Sequence, residues 1–311
     1  MELRTEDVDV GERLDKVVAR HTTLGRARVA ELFAAGAVRA VDANGRRRKA
    51  RKGDRVEAGD VIHLDVDATA LDRGAQPDAA LDLTIALERP DLVMVDKAAG
   101  IPSAPIVAGE LGTVANGLLA RYPEMADIGF SPREPGLCHR LDTDTSGLLV
   151  AARTQAAFDS LVAGMKSGAL DKRYLLVCEL AAGAVLDERG AIELPLAGHA
   201  TDATRVVACR DAVETERLRA RPAETRYRVL RRRGARALVE ATVSRAFRHQ
   251  IRSHFAAIGA PLVGDAIYGE ASSLGRHALH ASVLVWPGDD HVAAFEVASP
   301  LPPALERLID E

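Results

Sequence analysis

The segment His139, Arg140, Leu141, Asp142, Thr143, Asp144, Thr145, Ser146, Gly147 is the part of this chain best equipped for chemistry. It follows a Pro/Gly-rich stretch (Pro132, Pro135, Gly136) and precedes the apolar run 148–152. A loop-to-strand junction of this kind can hold Asp142 outside the packed core. A His, an Arg and several hydroxyls stand beside it and can orient a carboxylate. No Gly-rich phosphate loop, Ser-His-Asp order or metal-ligand spacing accompanies it. The local chemistry is one carboxylate next to a guanidinium. Taken alone, that reads either as a nucleophilic Asp or as an ordinary loop ion pair.

The elements that must position this segment follow from periodicity. Residues 92–95 and 148–152 read as strands, and Thr154 can cap a helix with a stripe of Phe158, Leu161, Val162 and Met165. Tyr174, Leu176, Cys178 and Leu180 share one face of a strand by period two. Residues 227–230 and 238–243 read as further strands, and Ile251, Phe255 and Ile258 as a short helical stripe. No regular βαβ rhythm or internal repeat appears. The pattern is α+β with a largely antiparallel sheet.

Upstream lies a module of another character. Leu14, Val17 and Val18 repeat at helical spacing, as do Val29, Leu32 and Phe33, after which Gly36 can end the helix. Residues 38–41 and 61–66 read as strands, with Asn44-Gly45 as a tight turn. The boundaries read as 1–68 for this module, 69–82 for an Ala/Asp/Gly/Pro-rich linker and 83–311 for the larger domain. Net charge is −4 overall, yet residues 16–55 hold twelve Lys/Arg against three Asp/Glu. A basic segment on an acidic chain points to one localised polyanion contact, with a solvated loop as the plain alternative. The widely spaced Cys138, Cys178 and Cys209 suit a reducing cytoplasm, and no signal segment or 18-residue apolar run occurs.

Residues 136–147 closely resemble the signature loop of the pseudouridine synthases, in particular the RluA-type family that modifies ribosomal and transfer RNA. The resemblance runs on through Leu-Val-Met-Val-Asp-Lys-Ala-Ala-Gly at 92–100 and Lys172-Arg173-Tyr174. It continues through His249-Gln250-Ile251-Arg252 with His254, Pro261-Leu262-Val263-Gly264-Asp265, Tyr268-Gly269 and Leu279-His280-Ala281. It implies the pseudouridine synthase fold, a long bent mixed sheet with flanking helices and a cleft across its middle. It also implies isomerisation of uridine in structured RNA without cofactor or metal, ribosomal RNA being favoured over transfer RNA. In that reaction the N1–C1′ bond breaks, the uracil turns, and C5 rejoins the sugar. A carboxylate suits attack on the sugar or removal of its proton. The resemblance assigns this role to Asp142, its ion pair to Arg252, and stacking near the migrating proton to Tyr174. Ile251 would form an apolar wall, His139 and Arg140 would flank the nucleophile on its loop, and Arg140 would fill the space left by the flipped base, with a structural hydrogen bond within the loop as the other role for His139.

The N-terminal residues resemble the small RNA-binding module named after ribosomal protein S-four, with Arg26, Arg28, Arg46, Arg47, Arg48, Lys49, Arg51 and Lys52 as phosphate contacts. Three positions depart from the family pattern: Thr143 for Lys or Arg, Ala246-Phe247-Arg248 for Gly-Arg-Thr or Gly-Arg-Lys, and Ser103-Ala104-Pro105 for Val-His-Pro. Phe247 is expected to stack or pack, and Arg248 to supply the displaced cation. Two other readings stay open. Asp142-x-Asp144 matches a haloacid-dehalogenase phosphotransferase, although the apolar run falls on the wrong side. A catalytically weakened RNA-binding protein of the same fold is the other. A cytoplasmic monomer without membrane association is expected.

Overall fold

In the computed structural model, described for residues 1–22, 24, 26–65, 74–107, 109–244 and 246–310, the chain forms two compact units. For residues 26–28 only the backbone is described. The first unit comprises residues 1–76 with 106–110, and the second residues 77–105 with 111–311. Residues 69–73 of the expected linker lie outside the described residues. The second unit starts earlier than the expected 83: the Asp78 amide donates to the Asn116 carbonyl and its carboxylate accepts from the Gly112 amide.

The first unit comprises β1 (Glu2–Arg4), α1 (Leu14–His21), α2 (Arg26–Ala34), β2 (Val38–Val41), β3 (Arg47–Lys49) and β4 (Val61–Leu64). Its sheet is antiparallel, in the order β1-β4-β2-β3. Leu14, Val17 and Val18 of α1 pack with Val29, Leu32 and Phe33 of α2 against Leu3, Val38, Ala40, Ile62 and Leu64 from one face of that sheet. Alternation along the strands leaves Arg39, Val41, Arg47, Lys49 and His63 on the opposite face. The β2–β3 turn at Asn44-Gly45 is closed by the Asp42 carboxylate, which accepts from the amides of Asn44 and Arg46. Strand β4 stops at Leu64, and Val66, expected as its end, lies outside the described residues.

The second unit carries β5 (Ile85–Glu88), β6 (Leu92–Lys97), α3 (Val114–Arg121), β7 (Ser146–Ala152), α4 (Gln155–Ser167), β8 (Asp171–Glu179) and β9 (Arg189–Ile192). After these come the hairpin of β10 (Leu196–Gly198) and β11 (Val206–Ala208), α5 (Ala212–Leu218), β12 (Thr225–Arg233) and β13 (Arg236–Thr242). Helix α6 (Gln250–Ala257), β14 (Leu279–Trp286), β15 (Phe295–Ala298) and α7 (Pro303–Asp310) complete it. The nine-stranded sheet runs β5-β6-β7-β14-β8-β13-β12-β9, with β15 also paired to β14. All pairings are antiparallel except β7 with β14. Thr154 accepts from the Ala157 amide and caps α4, whose Phe158, Leu161 and Val162 pack with Leu92, Met94, Leu148, Val150 and Trp286.

The parallel seam positions the reactive loop. Gly147 pairs with Ala281 of β14, which in turn pairs with Tyr174 of β8. Gly147 has φ 108, and a Cβ there would lie 2.2 Å from the Ala281 carbonyl oxygen. Only glycine permits this approach. The loop ending at β7 and the Tyr174 strand are thereby registered on one shared strand.

Candidate active site

Asp142 lies on the loop entering β7, and that loop is tied down at several points. The Thr145 amide donates to the Asp142 carbonyl at 3.0 Å, a turn that lifts the carboxylate from the strand end. Ser103 brackets Leu141, its hydroxyl donating to the Leu141 carbonyl at 2.7 Å and accepting from the Leu141 amide at 3.0 Å. The departure from Val-His-Pro at 103–105 therefore supplies a loop anchor. Lys97, at the end of β6 and 1% exposed, donates to the carbonyls of Ala98, Ile101 and Thr143 at 3.0, 2.8 and 2.8 Å. Burial pulls its pKa down to about 8, against the opposing pull of Asp144 and Asp142. Thr143 itself is exposed, and its carbonyl also accepts from the Gly100 amide.

Across from this loop, α6 presents Arg252. Its Nη1 donates to Asp142 Oδ2 at 2.9 Å. Its Nε and Nη2 donate to Asp265 Oδ2 and Oδ1 at 2.7 and 2.8 Å, a two-pronged pair. Side-chain exposure falls from 25% at Asp142 to 5% at Arg252 and 0% at Asp265. Burial opposes the guanidinium charge, but the Asp265 hydrogen bonds and the charges of both carboxylates outweigh it and raise its pKa. Burial likewise opposes the Asp265 charge, and Arg252 overcomes it and holds that carboxyl below its usual range. Asp265 Oδ1 also accepts from the amides of Ile267 and Tyr268. Asp142 Oδ1 makes no hydrogen bond among the described residues. The clamp fixes one oxygen of Asp142 and leaves the other open.

His249 precedes α6 with φ 54, a left-handed conformation uncommon outside glycine. It places Nε2 3.7 Å from Asp142 Oδ2 and Nδ1 3.1 Å from the Tyr268 hydroxyl. The Tyr268 ring lies beneath Arg252, with 5.3 Å from the guanidinium carbon to the ring centroid. Burial lowers the His249 pKa, Asp142 opposing and the cations Arg252 and Arg248 adding to the fall, so the ring is neutral near pH 7. Tyr174 is 7% exposed. Burial and the Asp142 charge both push its phenol pKa up, so it holds its proton at neutral pH. It can stack and donate a hydrogen bond, but it is no standing phenolate.

The remaining residues singled out from sequence fall into three groups. Ile251 is buried beside Arg252. His139 accepts the Val150 amide on Nε2 at 3.2 Å, pinning its own loop to β7, while Arg140 is exposed and pairs with Glu134 at 2.8 Å. Phe247 donates its amide to Gln250 Oε1, and Arg248 Nη2 donates to the carbonyls of Ala203 and Arg205. In the first unit, Arg48 turns to Asp54 and Asp60. Arg46, Arg47, Lys49, Arg51 and Lys52 are exposed and make no ion pair among the described residues. The side chains of Arg26 and Arg28 lie outside the described residues. Sequence reading gave no role to Lys97, His249, Asp265 or Tyr268, although each belongs to a segment it singled out.

Comparisons with known proteins point to one family. The pattern of the family described as RNA pseudouridylate synthase matches residues 91–257, which include Asp142, Tyr174 and Arg252. An uncharacterised RNA pseudouridine synthase of Bacillus subtilis, YlyB, is 33% identical over 82% of this chain and 80% of its own length. The ribosomal large subunit pseudouridine synthase D of Xanthomonas campestris is 30% identical over 97% of this chain and 89% of its own. Among solved structures, human RNA pseudouridylate synthase domain containing 1 superposes with a TM-score of 0.56 and 26% identity, over 74% of this chain and 89% of that one.

Proposed function

The chain belongs to the RNA pseudouridylate synthase family and is an isomerase of uridine in RNA; from that premise we propose that Asp142 acts on the sugar and that the target lies in large-subunit ribosomal RNA. The observation that carries the assignment is the clamp in which Arg252 binds Asp265 with two donors and Asp142 with one. It holds a carboxylate in place with one oxygen free. In our scheme that oxygen attacks C1′ as the N1–C1′ bond breaks, and the electron pair leaves with the uracil. The uracil turns, C5 attacks C1′, and Asp142 departs with the pair it had donated. The C5 proton then passes to a base, N1 takes up a proton, and the ring regains its aromatic form. No electron is gained or lost overall. Tyr174, protonated, stacks on the turning base and donates to it. Ile251 supplies an apolar wall, and His139 supports the loop from behind.

Several features support the supporting roles. Arg140 is exposed and can leave Glu134 to enter the gap of a flipped base. The first unit acts as the phosphate-binding module through its exposed Arg46, Arg47, Lys49, Arg51 and Lys52. The ribosomal target rests on the likeness to the large-subunit enzyme of Xanthomonas campestris. The protein then works where ribosomal RNA is modified, in the cytoplasm.

Pseudouridine mapping in matched wild-type, deletion and Asp142→Asn cells tests the whole reading. Loss of specific large-subunit ribosomal sites, not restored by Asp142→Asn, is the expected outcome. Loss confined to transfer RNA overturns the target. Loss restored by Asp142→Asn removes the carboxylate from the chemistry.

A further inference from the structure

The outer face of the first unit's sheet has a charge pattern that folding does not explain. Its inner face is apolar and covered by α1 and α2. On the outer face, Arg39 of β2 lies directly opposite Lys49 of β3 on one side and His63 of β4 on the other. Arg47, two residues before Lys49, stands on the same face opposite Val41. Arg39, Arg47 and Lys49 are exposed, and none has an ion-pair partner among the described residues. Like charges directly opposite on neighbouring strands destabilise a sheet. The acids nearby do not offset this half of the face. Glu2 sits opposite His63 and pairs with Arg4 at 3.6 Å, and Asp65 lies beyond the end of β4.

Two further observations bear on what could cover it. A shallow depression of about 370 Å³ is lined by Arg39 and His63 together with the acids Glu2 and Asp65. The Lys49 stem passes over Gly36, where a Cβ would lie 3.2 Å from Lys49 Cε. The unit has a single aromatic residue, Phe33, and that one is buried in the core. A face with cations and no exposed Phe, Tyr or Trp is better suited to neutralising phosphates than to stacking bases.

We propose that this outer sheet face, centred on Arg39 and Lys49, binds the phosphate backbone of duplex RNA without reading its sequence. The proposal rests on the RNA reading above but not on Asp142. It extends the contact from the 46–52 turn and strand across the sheet surface, adding Arg39 and His63 to Arg47 and Lys49. The cross-strand repulsion persists because a polyanion relieves it on binding.

The test uses the full chain and a 20-base-pair RNA duplex. Arg39→Ser with Lys49→Ser should weaken binding roughly tenfold near physiological salt and flatten the salt slope by roughly two phosphates' worth, about 0.9 each. Its melting temperature should stay level or rise, since a like-charge pair has been removed. Arg39→Lys with Lys49→Arg should bind as wild type. Amine acetylation read by mass spectrometry should show the duplex protecting Lys49 severalfold and leaving Lys16 untouched. A double Ser variant with unchanged affinity and slope, or Lys49 acetylated at the same rate with and without RNA, overturns the proposal. So does a parallel fall in affinity and melting temperature, which would make the row structural. Tight, salt-dependent binding by a protein that forms no pseudouridine would sink the catalytic reading and leave this one standing.

Discussion

Two regions of this molecule concentrate charge, and they do it in opposite ways. At the active site, Arg252 and Asp265 are almost wholly buried, and every guanidinium prong that contacts them is directed at a named carboxylate oxygen. On the first unit's sheet, Arg39, Arg47 and Lys49 lie exposed and without an ion-pair partner among the described residues. Buried charges are expensive to desolvate and persist only when fully paired, so their arrangement dictates geometry. Exposed cations cost little, contribute little to stability, and act at a distance set by salt. The buried set is a device for holding one carboxylate. The exposed set is a device for meeting a partner.

The largest expected effect breaks the buried set at its reactive end. Asp142→Asn keeps the shape and removes the charge, while Asp265 still neutralises Arg252. Turnover should fall by roughly 10³-fold or more, about 4 kcal/mol of barrier. Melting temperature and RNA affinity should hardly move. Single-turnover assays paired with binding curves read both. A variant that turns over normally would reduce the Asp142–Arg252 contact to a structural ion pair.

Asp265→Asn comes next and separates holding from reacting. It leaves a buried guanidinium half unpaired, for which removal of one partner typically costs about 3–5 kcal/mol of stability. It also frees Arg252 to turn both prongs on Asp142 and occupy the open oxygen. At temperatures well below melting, the single-turnover rate should fall roughly tenfold to a hundredfold, about 1.4–2.7 kcal/mol, with RNA affinity unchanged. A loss of stability with a normal rate would show that Asp265 supports the fold alone. The exposed cross-strand pair Arg39 and Lys49 has no counterpart to this: altering the exposed cations should move affinity and leave the rate at saturating RNA intact.

A pH experiment sharpens the contrast further. Lys97 needs all three ammonium protons for its three carbonyl partners, and burial brings its pKa to about 8. Above that pH one donor is lost and the loop bearing Asp142 loosens. The rate should therefore decline on an alkaline limb with a midpoint near 8. The effect on global stability has the opposite sign. The folded state releases this proton before the unfolded chain does, so between about 8 and the ordinary value of 10.5 this group makes stability rise with pH. A rate that falls while the melting temperature does not is the signature. An alkaline limb that survives unchanged in Lys97→Met would assign it elsewhere.

How far sequence reaches into this site depends on whether a residue acts locally. Strands β6, β7 and β8 and helix α4 are legible because their apolar spacing reports which face is buried. The Asp142 loop is legible because its residue types cluster, and Tyr174 and Arg252 because their segments resemble a family. Asp265 is not legible as a clamp, since its partner stands 13 residues away and nothing in Gly264-Asp265 names an Arg. Lys97 reaches a carbonyl 46 residues on, and a backbone acceptor leaves no mark in sequence at all. Arg48 shows the converse: within a basic run it looks like its neighbours, yet it is committed to Asp54 and Asp60. Strand parity hides in such a run because every position is charged.

The smallest expected effect lies at Phe247 and Arg248, between the two modes of using charge. Sequence reading expects Phe247 to stack or pack and Arg248 to carry a phosphate contact. Arg248 is exposed, like the sheet cations, but its Nη2 donates to the carbonyls of Ala203 and Arg205 at 2.6 and 3.2 Å. Those carbonyls lie in the connection between β10 and β11, so Arg248 ties that hairpin to the start of α6. Phe247 is held by its amide to Gln250 Oε1 at 2.9 Å, and the Arg221 guanidinium lies 6.0 Å from its ring centroid. Nη1 and Nε of Arg248 keep donors for a phosphate. Arg248→Ala should thus weaken RNA binding only about twofold to threefold, near 0.4–0.7 kcal/mol, and shift the salt slope by no more than about one phosphate. Amide hydrogen exchange across residues 199–205 should quicken in the same variant, because the hairpin loses its tie. Phe247→Arg should not tighten binding, since a second cation there would face Arg221. If Phe247→Arg binds more tightly while Arg248→Ala changes neither affinity nor exchange, the pair belongs with neither mode, and the departure at 246–248 is a lost cation that nothing replaced.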